Sequence, residues 1–173
     1  AKVTGRVVFN HNWNIWLRYD QDIKNDFSRA RPSNSVLEHV RSDVVRYLTE
    51  GESGLEFAYI EYRSSSGSAL HVRGYAGILE QMFAGVGAEA LYSPYKNRWS
   101  AGVTVNAVRR RGFERNFELL DYQTITGHLN LYYAMPIYDI DLALHVGRYL
   151  AGDRGYTFEA WRTFSNVVSL GGF

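Results

Sequence analysis

Thr124-Ile125-Thr126-Gly127-His128-Leu129-Asn130-Leu131-Tyr132-Tyr133 decides the fold. Thr124, Thr126, His128, Asn130 and Tyr132 can all hydrogen bond, while Ile125, Gly127, Leu129, Leu131 and Tyr133 form an apolar set. A period of two places successive side chains on opposite faces of a β-strand. The two faces must therefore meet different solvents. The next segment repeats the pattern, with Tyr138, Ile140, Leu142, Leu144 and Val146 opposite Asp139, Asp141, His145 and Tyr149. Upstream, Leu70, Val72, Gly74, Ala76 and Ile78 oppose His71, Arg73 and Tyr75. Strands of soluble sandwiches run about 5 to 6 residues, whereas a tilted strand crossing a bilayer needs about 9 to 11. The length of these alternations points to the membrane. The expected fold is all-β: an antiparallel up-and-down transmembrane β-barrel, or part of a larger one, forming a single domain or barrel segment over 1–173.

Composition agrees with that reading. The 173 residues carry a net charge of +1, which gives no general attraction to nucleic acid. No apolar run approaches the ~20 residues of a spanning helix, and the mean hydropathy of −0.29 resembles that of a soluble protein. Barrel strands conceal their membrane signal in this way, because half of each strand faces lipid and half a polar lumen. Thirteen Tyr, nine Phe and four Trp make 15% of the chain, a supply for the aromatic girdles of such barrels. With no cysteine, disulfides and thiolate metal sites are excluded. No signal peptide opens the sequence, so an exported protein is expected here as a mature chain or an internal segment.

Nine strands are predicted, near 7–19, 55–63, 69–79, 83–92, 98–109, 119–133, 137–149, 156–164 and 166–173. Short hairpin turns are expected at Ser64-Ser65-Ser66-Gly67, Ser93-Pro94-Tyr95-Lys96-Asn97, Ala134-Met135-Pro136 and Ser165-Asn166. The long links 20–54 and 110–118 fall on one side of the alternation. Glu80-Gln81-Met82 breaks that rule by being short, which implies a bulge or a displaced strand boundary. One helix is predicted over roughly 36–49 from a capping box, Ser35 with Glu38, and from Leu37, Val40, Val44 and Leu48 at helical spacing. It can plug a lumen, lie in the interface or pack on a rim.

Chemistry-bearing residues are sparse. His11, His39, His71, His128 and His145 show no metal-ligand spacing, so neither a metal nor a cofactor is expected. His71, His128 and His145 share the polar parity and can line one cavity; the plainer reading is lumen histidines satisfied by neighbours or water. Asp139 and Asp141 lie two residues apart, yet a glycosidase pair normally faces across a cleft, and a charge ladder with Arg73, Glu89 and Glu159 is the simpler account. Gly85-Val86-Gly87 lacks the helix a dinucleotide fingerprint needs and is expected to permit close strand packing. Arg109-Arg110-Arg111 is expected in a solvated or headgroup-facing loop, with no stacking platform for nucleic acid. The polar parity is the candidate site. Tyr75, Glu89, Asn106, His128, Asn130, Tyr132, Asp139, Asp141 and Trp161 form a wall of the kind that hydroxyl-rich polymers meet by hydrogen bonding and stacking. A generic wet lumen needs the same residue types.

Gly74-Tyr75-Ala76-Gly77-Ile78-Leu79-Glu80-Gln81-Met82-Phe83-Ala84-Gly85-Val86-Gly87-Ala88-Glu89, followed by Leu91-Tyr92-Ser93-Pro94, closely resembles the YjbH-like family of outer-membrane proteins. His39-Val40-Arg41-Ser42-Asp43, Asp121-Tyr122 with Thr126-Gly127-His128, and Gly147-Arg148-Tyr149-Leu150-Ala151-Gly152-Asp153-Arg154-Gly155 resemble it in the same order. The similarity covers most of 36–173. That family, which includes the GfcD-like capsule proteins, is linked to production and export of exopolysaccharide or group 4 capsule in Gram-negative bacteria. The resemblance implies an outer-membrane barrel without enzyme chemistry and further strands beyond this segment. It supplies no catalytic motif. The partners expected are polysaccharide, outer-membrane lipid and other exopolysaccharide biogenesis proteins, with no nucleic acid.

Three functions compete. The first is a non-enzymatic outer-membrane barrel in exopolysaccharide or capsule export or assembly. A general solute porin is the second. The third is a soluble β-sandwich that binds or hydrolyses carbohydrate, which would bury the apolar parity in a protein core.

Overall fold

The computed structural model describes residues 1–21, 23, 40–51, 53–67, 69–164 and 169–173. The strands are β1 (Lys2–Val8), β2 (Trp13–Gln21), β3 (Ser53–Ser66), β4 (Leu70–Ile78), β5 (Phe83–Tyr92), β6 (Trp99–Arg111), β7 (Leu119–Ala134), β8 (Ile140–Arg148), β9 (Arg154–Thr163) and β10 (Ser169–Gly172), with one short helix, α1 (Val44–Thr49). They form one sheet whose spatial order follows the chain from β1 to β10. Neighbours pair antiparallel, as in β1 with β2, β2 with β3, β7 with β8, β8 with β9 and β9 with β10. The fold is all-β, as the period-two alternation predicts. No helix of the described residues is long and apolar enough to cross a membrane.

Ten strands replace the nine expected, because the segment 7–19 is a hairpin. The Asn10 side-chain oxygen accepts from the Asn12 and Trp13 amides at 2.9 and 3.0 Å, and the Phe9 amide donates to the Trp13 carbonyl. An Asx turn reverses the chain there. The next difference is at the start of β8, expected at 137. Tyr138 and Asp139 both take left-handed φ, 65° and 49°, so the hairpin turn extends to Asp139 and the strand begins at Ile140. The short link after β4 is real. Leu79 and Glu80 amides both donate to the Phe83 carbonyl, which closes a tight turn. A Cβ at Gly85 would overlap the Ala107 carbonyl oxygen, so the glycine allows close strand approach there. The predicted helix 36–49 appears as α1 alone; its capping box and residues 36–39 lie outside the described residues, as do Ser165-Asn166 and 166–168.

Contacts divide the chain into two compact units. The first comprises Ala1–Tyr62, Gly74–Gly87 and Ala107–Thr124. Its apolar core is small: Val40, Tyr47, Ile78, Met82, Phe83 and Val108. Beside these are buried Asn14, Glu61, Arg110, Arg111, Arg115 and Thr124. The second unit comprises Arg63–Arg73, Ala88–Asn106 and Ile125–Phe173. Here β7 shows the burial of a soluble protein inverted. Leu129 and Leu131 are 63% and 53% exposed, while Thr126 and Asn130 on the opposite parity are 4% and 9% exposed. Hydrocarbon faces out and hydrogen-bonding groups face in, the reverse of an ordinary sheet with one wet face. Val103 and Val105 on β6, and Tyr156 and Phe158 on β9, continue the exposed apolar side.

Candidate functional site

Register builds the polar face of the second unit row by row. Asn130 stands opposite His145 and His145 opposite Thr157; Tyr132 stands opposite Ala143 and Ala143 opposite Glu159. The row of His128 contains Gly147 and Gly155. Three small residues among large polar ones leave a recess of about 260 Å³, lined by Thr104, His128, Asn130, His145, Tyr149, Thr157 and Glu159. Its side chains are linked. The Asn130 amide donates to Thr104 Oγ1 at 3.1 Å, and Asn130 Oδ1 lies 2.7 Å from His145 Nδ1. Since that oxygen can only accept, the bond assigns the His145 proton to Nδ1 and leaves Nε2 toward Glu159, 3.9 Å away. The Tyr149 and Thr157 hydroxyls are hydrogen bonded at 2.6 Å, and the Tyr149 ring meets His128 edge-on at 4.6 Å. His128 Nε2 is buried and has no hydrogen-bond partner among the described residues. The recess thus offers hydroxyl, amide, imidazole and carboxylate groups together, the complement of a polyhydroxylated ligand.

The structure brings several of the sequence-derived candidates together. His128, Asn130 and His145 share this recess, Tyr132 packs edge-on to His145 at 5.7 Å, and Asn106 donates to Thr126 Oγ1 at 3.3 Å. Asp141 and Trp161 are cross-strand partners. Glu89 pairs with Arg73 at 3.3 Å, the ladder contact its spacing implied. In the first unit Tyr75 stacks edge-on to Tyr59 at 6.5 Å. Asp139 sits apart, exposed in the hairpin turn, so it does not share a strand face with Asp141. His71 is exposed and bonds Ser65 at 2.9 Å, away from the other two histidines. No group of three or more His, Cys, Asp or Glu among the described residues is arranged to hold a metal.

Sequence reasoning missed the centre of the first unit. Arg110 and Arg111 are not in a solvated loop: both are buried at the end of β6, and only Arg109 is exposed. Arg111 Nη1 donates to the carbonyls of Leu55, Glu80 and Gln81 at 2.9, 3.2 and 3.1 Å, and Nη2 to those of Arg115 and Asn116 at 2.7 and 2.8 Å. Five backbone acceptors explain why a guanidinium is buried there without a carboxylate. Its own amide binds the Met82 carbonyl, and its carbonyl accepts from Tyr47 Oη at 2.5 Å. Arg115 donates to Gly51 at 3.0 Å, Arg110 pairs with Asp43, and Phe113 lies 3.7 Å beneath the Arg46 guanidinium. α1, the 79–82 turn and the 112–118 link are fastened to β6 by these residues. Burial pushes the Tyr47 phenol above its ordinary pKa, with Arg110 opposing the shift.

Comparison with known proteins follows the same direction as the residues. The model of the family described as exopolysaccharide biosynthesis protein YbjH matches residues 1–173. An Escherichia coli K12 protein named uncharacterized lipoprotein YjbH is 34% identical over 146 residues, which cover 82% of this chain and 21% of the relative. This chain therefore spans about a fifth of that relative's length. No solved structure matches. The chain belongs to the YjbH family of exopolysaccharide biosynthesis proteins.

Proposed function

We propose that this chain is a membrane-crossing section of an outer-membrane β-barrel in a Gram-negative bacterium, acting without covalent chemistry in exopolysaccharide export or assembly. The observation that carries the reading is the inverted burial of β7 to β9, with Leu129 and Leu131 exposed around buried Thr126 and Asn130. Water on both sides would make the leucine face costly, at roughly 25 cal/mol per Å² of exposed apolar area. Hydrocarbon removes that cost. The dimensions fit. On β9 the exposed parity runs from Arg154 to Arg162, a span of eight residue steps or about 27 Å of strand and about 21 Å along the normal at a tilt near 40°, against a typical apolar band of about 25 Å. Exposed aromatic pairs, Tyr92 with Trp99 at 5.8 Å in one unit and Trp13 with Tyr62 at 5.0 Å in the other, are suited to interfacial girdles.

The opposite face then lines a lumen. Family membership supports a polysaccharide as the solute, and the Thr104–Asn130–His145–Glu159 network with Tyr132 and Trp161 supplies modest contacts that let a polymer move on. In cells whose own copy of the protein carries Tyr132→Ala and Trp161→Ala, secreted polysaccharide should fall several-fold while small-solute uptake stays unchanged. Unaltered secretion removes stacking from the account. Loss of solute uptake without loss of polymer would favour a general porin.

A further inference from the structure

We infer that the exposed face of the second unit carries a seat for a phosphate-bearing lipid, with Arg148 and Arg154 holding the headgroup. The inference rests on the reading that this face meets hydrocarbon.

The two arginines end β8 and begin β9, and they are direct cross-strand partners. Both side chains are exposed. Like charges placed directly opposite destabilise a strand pair, so the arrangement calls for an anion. No carboxylate of the described residues forms an ion pair with either. On the other flank Arg148 stands opposite Gly127, which leaves the third position of the row without a side chain. Gly152 takes a left-handed φ of 83° in the following turn, and a Cβ there would sit 3.4 Å from Arg148 Nη2. Space is thus left beside the Arg148 guanidinium, and the planar forks of both arginines suit phosphate oxygens.

What lies next along the strands selects the kind of anion. The adjoining row on the same parity is Leu129, Val146 and Tyr156, and the one after it is Leu131, Leu144 and Phe158. Tyr156 is 77% exposed. A phosphate seated on the arginines would therefore have acyl chains lying along two apolar rows. A soluble anionic polymer gains nothing from those rows, and the polar recess that suits a polymer opens on the opposite parity. Charge and apolar surface together specify an amphiphile.

The test uses the full chain reconstituted in phosphatidylcholine vesicles with and without lipid A, a phosphorylated glycolipid, followed by extraction and measurement of lipid A retained per protein. The unaltered chain should retain it. Arg148→Ala with Arg154→Ala should lower retention about tenfold or more, whereas Arg162→Ala, at the far end of the same parity, should leave it unchanged. Arg148→Gln alone, the milder change, should give an intermediate loss. Undiminished retention by the double variant overturns the inference. Displacement by inorganic phosphate or dextran sulfate at matched charge also overturns it, by showing that the acyl chains are unnecessary. A chain that inserts into neither vesicle overturns the membrane reading and the lipid seat together, whereas insertion with undiminished double-variant retention removes the seat alone.

Discussion

The two units solve the problem of burying polar groups in opposite ways. In the first, the two terminal nitrogens of Arg111 donate to five backbone carbonyls while its Nε has no partner among the described residues, and the fully buried Tyr47 and Phe83 belong to the same unit. In the second, hydroxyl, amide and imidazole groups of side chains bond laterally around an open recess. Acceptors that are backbone carbonyls, closed off around a fully buried guanidinium, offer little to a ligand. A recess lined by side-chain donors and acceptors is the one that can exchange protein contacts for a solute. Under the proposed function, the first unit holds shape and the second meets the ligand.

Breaking the first unit should have the largest effect. Arg111→Ala strands five carbonyls and should cost about 4 kcal/mol in urea unfolding of the reconstituted chain. Arg111→Lys should recover little of that, because an ammonium cannot span acceptors on both sides of a planar fork. In the second unit, Leu129→Arg should lower stability in vesicles by roughly 2–4 kcal/mol if the residue lies near the bilayer midplane. A neutral result would place that face in water. Asn130→Ala removes the link between Thr104 and His145 and should cost about 1–2 kcal/mol while reducing polymer secretion.

The smallest effect concerns pH. Burial holds the Tyr47 pKa above its unfolded value near 10, so the stability of the neutral phenol is intact below about pH 10 and is lost as pH rises through the folded value. Alkaline titration of unfolding should show this loss, and Tyr47→Phe should abolish it while costing about 1 kcal/mol at neutral pH through the lost bond to the Arg111 carbonyl.

Alternation made the second unit legible, since each of β7, β8 and β9 keeps one solvent per face over most of its length. It also concealed the hairpin at 9–12. Val3, Gly5 and Val7 pair with Tyr19, Leu17 and Ile15, and the four-residue link preserves parity, so the apolar period continues on the same parity after the reversal with His11 as its one polar member. Asn10 and Asn12 were the available signal. The arginine cluster was unreadable for another reason: its acceptors are carbonyls contributed by 55, 80–81 and 115–116, and carbonyls carry no residue identity. Asp139 was misplaced on a strand because parity counts positions without sensing the left-handed turn at Tyr138 and Asp139.

Because the sequence contains no cysteine, single cysteines introduced from 125 to 133 report one position at a time. With the full chain in vesicles and a fluorophore on each cysteine, brominated lipid should quench labels at Ile125→Cys, Leu129→Cys and Leu131→Cys, and iodide in the water should quench those at Thr126→Cys, His128→Cys and Asn130→Cys. Uniform quenching by iodide, or quenching by neither at the leucines, would contradict a hydrocarbon-facing sheet.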